Sequence, residues 1–184
     1  MQLRPAGGAA TILATILALS SASALSAPQA APASTWKVFQ ELDFLNGSWS
    51  GTVEAGGRIG GRVVTCGPEV GGATLVIRAN SVFPASGDLA EEKTETEGLI
   101  AYDGDKGKYV AFIVFSTKVW GVYDVEFIPD GVRFTSRELA NFEVGARSRL
   151  VFTRKSDTEL EERFEISRGG KDFTPLFSGK LTKK

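Results

Sequence analysis

Ten short runs of β-branched and aromatic residues follow one another from Ser48 onward, and Gly, Pro, Asp or Asn residues typical of turns separate them. The links are too short for the helical crossovers that parallel strands need, so the pattern predicts an antiparallel, up-and-down sheet. Ten strands in that order leave two exposed edges unless the sheet closes, which favours a barrel over a sandwich. The predicted strands are 49–55, 59–66, 73–83, 93–102, 108–117, 119–128, 132–139, 144–155, 159–167 and 172–181.

Apolar and polar positions alternate within these runs, as a barrel with a dry interior and a wet exterior requires. In the run 159–167, Leu160, Phe164 and Ile166 face one way, and the charged residues mostly face the other. Glu162 is the exception, because it falls on the apolar side, where a carboxylate needs a partner or a ligand. The residues expected to line an interior cavity are Leu75, Ile77, Ile100, Tyr123, Phe134, Arg149, Leu150, Phe152, Glu162 and Phe164.

A single short helix is predicted before the first strand. Trp36, Phe39, Leu42 and Leu45 recur at every third position, and Gly47 follows as a stop signal. The helix therefore covers about residues 35–45. The predicted fold class is all-β: a barrel of about ten strands with one short N-terminal helix.

The first residues differ from the rest of the chain. An apolar run at 9–19 precedes Ala22-Ser23-Ala24, which is the layout of a secretory signal peptide with cleavage after Ala24 or Ala27. The run is shorter than the roughly 20 residues of a membrane-spanning helix, so no stable membrane insertion is expected after cleavage. The predicted organisation is a signal peptide at 1–24, a flexible lead-in at 25–34 and one barrel domain at 35–184, in a secreted or periplasmic protein.

Composition excludes several chemistries. The 184 residues include no His and one Cys, Cys66. There can be no Ser-His-Asp machinery, no His-ligated zinc, no His-bound haem and no internal disulfide. Lys and Arg number 21 against 22 Asp and Glu, so no basic excess favours nucleic acid. We therefore predict no cofactor, no metal, no nucleic-acid partner and no catalytic residues.

The segment Phe44-Leu45-Asn46-Gly47-Ser48-Trp49-Ser50-Gly51 resembles the opening of a calycin-type barrel, in which a short helix precedes a Gly-x-Trp pair. Together with this segment, the stretches 97–103, 108–116 and 170–183 are similar to small exported bacterial barrels of the nitrobindin and fatty-acid-binding type. The resemblance implies a lipocalin-like barrel with an inner cavity and a helix near one end. It also implies that Trp49 packs against a basic residue of a late strand, here Arg147 or Arg149. Haem binding is not implied, because the histidine is missing.

These observations lead to a predicted binding module that holds a small hydrophobic molecule, such as a lipid or isoprenoid, with Glu162 and the arginines fixing a headgroup. One alternative is a filled barrel with a structural or interaction role, and another is a His-free isomerase or cyclase. The strands at 108–128 are apolar on both faces, so either the helix or a second copy in a homodimer is expected to cover them. The aromatic residues involved are Tyr109, Phe112, Phe115, Trp120, Tyr123 and Phe127.

Overall fold

The structure is a computed structural model that describes residues 35–184. The predicted signal peptide, its cleavage sites and the lead-in at 25–34 lie outside the described residues. No helix in the described part of the chain is long and apolar enough to cross a membrane.

The predicted helix is a 3₁₀ helix over Thr35–Leu45. In a 3₁₀ helix, side chains three residues apart lie directly above one another. Phe39, Leu42 and Leu45 therefore form one stripe, and all three are buried in the core. The spacing of three in the sequence is the period of this helix type.

Ten antiparallel strands form a closed barrel, which confirms the predicted fold class. Each strand pairs with its neighbours in the chain, and β1 pairs with β10 from Trp49↔Lys183 to Ala55↔Phe177, so no edge is left open. The strands are β1 Gly47–Ala55, β2 Arg58–Glu69, β3 Thr74–Phe83, β4 Glu92–Asp103, β5 Lys108–Phe115, β6 Trp120–Ile128, β7 Gly131–Ala140, β8 Arg147–Arg154, β9 Glu159–Ser167 and β10 Thr174–Lys183.

The two ends of the barrel differ. At one end, here called the helix end, the 3₁₀ helix meets the start of β5, where the Phe39 and Tyr109 rings lie 5.9 Å apart. The Tyr109 hydroxyl also donates to the carbonyl of Val38. The opposite end, here called the loop end, carries the hairpin links 56–57, 84–91, 116–119, 141–146 and 168–173.

Two predicted features of the late strands are wrong. The strand predicted at 144–155 begins only at Arg147, because a turn with positive φ at Asn141 and Gly145 precedes it. Glu165 was expected on a solvated outer face, yet it is buried. Its carboxylate accepts a hydrogen bond from Nε of Arg149 at 2.5 Å and forms an ion pair with Arg163 at 3.0 Å. These two contacts compensate for its burial.

Candidate functional site

A buried ion pair is the main polar feature of the barrel interior. Arg62 of β2 donates from Nε to Oε2 of Glu162 on β9 and from Nη2 to Oε1, each at 2.5 Å. Arg62 is 5% exposed and Glu162 is 2% exposed. The two parallel bonds match the planar guanidinium to the planar carboxylate, which is the strongest geometry for such a pair. Glu162 thus has a partner, as expected for a carboxylate on the apolar side of its strand.

Strand alternation explains why both side chains point inward. Arg62 shares its side of β2 with Val64 and Cys66, which are buried, and Glu162 shares its side of β9 with Leu160. Between β2 and β9 lie β1 and β10, where Gly51 pairs with Arg62 and Gly179 pairs with Glu162.

Neither glycine places a side chain on the inner wall between the two charged residues. A Cβ at Gly51 would lie only 1.9 Å from the carbonyl oxygen of Lys180, so glycine is required there by the close approach of β1 and β10. The missing side chains leave the inner wall free for Arg62 to reach Glu162.

Two further groups hold the guanidinium. Nη1 of Arg62 donates to the Ser81 hydroxyl of β3 at 2.7 Å, and Ser81 is itself buried. The Phe177 ring of β10 lies under the guanidinium carbon, with 4.8 Å to the ring centroid. Each nitrogen of Arg62 therefore has a hydrogen-bond partner, and its face has an aromatic contact, which fixes its position.

Three phenylalanines form a layer between this pair and the loop end. Phe177 stacks on Phe164 with 5.3 Å between the ring centroids, and Phe164 meets Phe115 at 5.5 Å. Each of the three faces inward and lies two residues closer to the loop end than an interior-lining residue of the same strand. Each side chain is only partly buried. We call Phe115, Phe164 and Phe177 the aromatic layer. It separates the ion pair from solvent at the end that the helix does not cover.

Below the aromatic layer lies a small internal cavity of about 20 Å³. That volume holds roughly one water molecule, whereas ligand pockets are commonly about 300–1,000 Å³. As it stands, the interior is nearly filled by side chains. The cavity is lined by Arg62, Ile77, Ala79, Thr96, Gly98, Ile100, Ala111, Ile113, Phe134, Leu150, Phe152 and Glu162.

The structure brings six of the ten predicted lining residues to this cavity, namely Ile77, Ile100, Phe134, Leu150, Phe152 and Glu162. Leu75 and Tyr123 are buried elsewhere in the core, and Phe164 belongs to the aromatic layer. Arg149 does not line the cavity. It lies on the outer face of β8, paired with Glu165 and stacked on Phe173 at 4.4 Å, because its position alternates with the inward Ser148 and Leu150.

Tyr123 takes part in a separate buried polar network. Its hydroxyl is 2.6 Å from the Ser148 hydroxyl, and the Ser148 backbone N–H donates to the Ser136 hydroxyl at 2.7 Å. Burial raises the pKa of Tyr123 to about 12, and the hydrogen bond with Ser148 opposes that rise. The phenol is therefore neutral over the physiological range.

The Gly-x-Trp pair has a structural role at the helix end. The Trp49 indole N–H donates to the carbonyl of Leu45 at 2.8 Å and so ties β1 to the helix. The predicted contact of Trp49 with Arg147 or Arg149 is wrong, because the cation over its ring is Lys183 of β10, at 5.1 Å. Gly47 has φ +118°, and a Cβ there would lie 3.0 Å from Cε of Lys183. The glycine thus leaves the space through which Lys183 crosses Trp49.

Apolar side chains also line the outer face of β4 to β6. Phe112 and Trp120 point outward, with ring centroids 5.4 Å apart, and they remain 44% and 39% exposed. The helix packs against Tyr109 at the barrel end, so the expectation that it covers this face is wrong for Phe112 and Trp120. A homodimer through this face stays a prediction.

A wider groove of about 550 Å³ runs along the outside of β1, β10 and β9. Its lining includes the acidic residues Glu54, Glu161 and Glu162 and the basic residues Arg163 and Lys180. The carboxylate of Glu162 is already engaged by Arg62 in the interior. Among residues 35–184, no group of three Cys, Asp or Glu side chains is placed to hold a metal ion.

Sequence reasoning missed Arg62, Ser81 and Phe177. In the run 59–66, Ile59 and Val63 alternate with Arg62 and Val64, so each side of the strand has an aliphatic residue and hydrophobicity does not reveal which faces inward. The signal that could have found Arg62 was Glu162, since a buried carboxylate calls for a cation.

Comparisons with known proteins support the fold and no more. No family model matches the chain, and no curated protein matches it. The crystal structure of Rv2717c from M. tuberculosis is similar with a TM-score of 0.55 and 13% identity, over 80% of this chain and 98% of that one. A de novo designed fluorescence-activating β-barrel matches with a TM-score of 0.40 and 17% identity, over 77% and 95%. The chain is thus a ten-stranded antiparallel β-barrel, and this fold is the class of protein that the structure defines.

Proposed function

We propose that this barrel is a binding module that takes up a small hydrophobic molecule in the half of its interior nearest the loop end. The observation that carries the proposal is the Arg62–Glu162 pair on the wall of a cavity whose other lining residues, apart from Thr96, are apolar or glycine. A buried ion pair adds little stability compared with apolar residues of the same volume, so stability alone gives no reason for it. A few polar groups within an apolar lining are typical of ligand sites.

Ligand access requires the aromatic layer to move. The helix end is sealed by Phe39, Leu42 and Leu45, whereas Phe164 and Phe177 at the loop end are partly exposed and have solvent on one side. Rotation of these rings would join the small cavity to the space they occupy. The lipid- or isoprenoid-like ligand expected from the sequence would occupy that enlarged space, which Arg62 borders.

A filled barrel with a structural or interaction role is the second candidate. The cavity volume of about 20 Å³ favours it, because no ligand larger than water fits without rearrangement. The enzyme alternative has no comparable support, since both carboxylate oxygens of Glu162 are engaged by Arg62. We also propose export through the signal peptide at 1–24.

Native mass spectrometry of the protein purified from its own host tests the binding proposal. Ala111 faces the cavity, whereas Ala101 faces outward on the neighbouring strand. We expect the wild type and Ala101→Leu to carry a bound small molecule and Ala111→Leu, which fills the cavity, to be empty. An empty wild type, with no change in its NMR spectrum on addition of small apolar molecules, would leave the filled barrel as the function.

A further inference from the structure

The lining of the cavity is balanced in charge. Of the described residues that line it, Arg62 and Glu162 are the charged ones, and they face each other in a bidentate pair. Thr96 is polar and uncharged, and the remaining lining residues are apolar or glycine. A molecule in this space therefore meets dipoles and apolar surface, with no net charge to compensate its own.

The pair still has capacity for a neutral polar group. A guanidinium carries five N–H donors. Nε and Nη2 donate to Glu162 and Nη1 donates to Ser81, which uses three of them. These contacts engage one of the two hydrogens on each terminal nitrogen, and both nitrogens belong to a residue that lines the cavity. A carbonyl or hydroxyl oxygen of a ligand could accept from them.

A charged ligand would face a different balance. A carboxylate brought to Arg62 would compete with Glu162 and leave two carboxylates sharing one cation in a dry interior. An ammonium group brought to Glu162 would compete with Arg62 and leave two cations sharing one carboxylate. An uncompensated charge in a dry interior is strongly disfavoured. For either ion, the free-energy cost of leaving water therefore exceeds the favourable interactions that the site offers.

We propose that the interior selects neutral molecules with an apolar body and one uncharged oxygen group, such as a ketone, ester or alcohol, and rejects fatty acids and alkylamines. This specificity rests on the proposed binding function. The distinguishing feature is that Glu162 already occupies the position on Arg62 that a ligand carboxylate would need.

Three probes with ten carbon atoms each test the proposal at neutral pH: 2-decanone, decanoate and decylammonium. Titration of the full chain, followed by NMR shifts of residues that line the cavity, is expected to show 2-decanone binding at least about tenfold more tightly than either ion. Decanoate or decylammonium binding as tightly as 2-decanone would overturn the charge argument while leaving the binding function intact. No binding of any of the three would overturn both.

A charge variant makes the test independent of probe hydrophobicity. Glu162→Gln preserves the shape of the side chain and leaves the Arg62 charge uncompensated, so decanoate is expected to gain at least about tenfold relative to 2-decanone. Arg137→Gln is the control, because Arg137 pairs with Asp124 on the outer surface and should leave the ranking unchanged. A folded Glu162→Gln with the wild-type ranking would overturn the proposal. If that variant does not fold, the wild-type ranking decides.

Discussion

Removal of one member of the interior ion pair provides the most direct test of how the barrel is held together. Arg62→Leu leaves the Glu162 carboxylate buried without its two hydrogen bonds from the guanidinium. Loss of one partner of a buried pair costs about 3–5 kcal/mol of unfolding free energy, because the remaining charge is uncompensated. For a domain of this size, that cost lowers Tm by roughly 6–20 °C.

The assay is urea denaturation followed by Trp fluorescence, with two comparisons. Arg137→Leu removes an exposed ion pair with Asp124 at 3.0 Å and should cost under about 1 kcal/mol. Arg62→Leu combined with Glu162→Leu removes both charges and should be nearly as stable as the wild type, with Glu162→Leu measured as the second single variant. The reasoning is refuted if Arg62→Leu costs no more than Arg137→Leu, or if the double variant is as unstable as the sum of its two single variants.

Four other predictions concern single side chains. Leu42→Ala removes a fully buried side chain from the helix stripe and should cost about 2–5 kcal/mol in denaturant unfolding, whereas a cost below that range would mean the helix does not seal the barrel. Burial, aided by the charge of Asp43, raises the pKa of Cys66 to about 12, so a thiol reagent at mild alkaline pH should label it only after unfolding. Burial raises the pKa of Tyr123 from 10.0 to about 12, so the unfolded state loses that proton first and stability should fall between those pH values, less so in Tyr123→Phe. Lys183→Ala should change the emission of Trp49 and cost about 0.5–1 kcal/mol, and an unchanged spectrum would contradict the cation–π contact.

The strand pattern and the helix could be predicted because they depend on neighbours in the chain. The turn residues divide the sequence into the ten strands observed, and the spacing of three at Phe39, Leu42 and Leu45 corresponds to a 3₁₀ helix. Closure into a barrel also followed, since successive antiparallel strands without long links leave closure as the way to remove both edges. Glu162 was identified as an inward carboxylate from alternation alone.

Tertiary structure alone decided what meets Glu162 and how much space remains beside it. Arg62 lies 100 residues away in the chain, and the register of four strands brings the two together. The same applies to Lys183, which reaches Trp49 only because β10 closes on β1. The cavity volume is the small remainder after all inward side chains have packed. Local periodicity determines which way a side chain faces, but partners and empty space depend on the whole closed sheet.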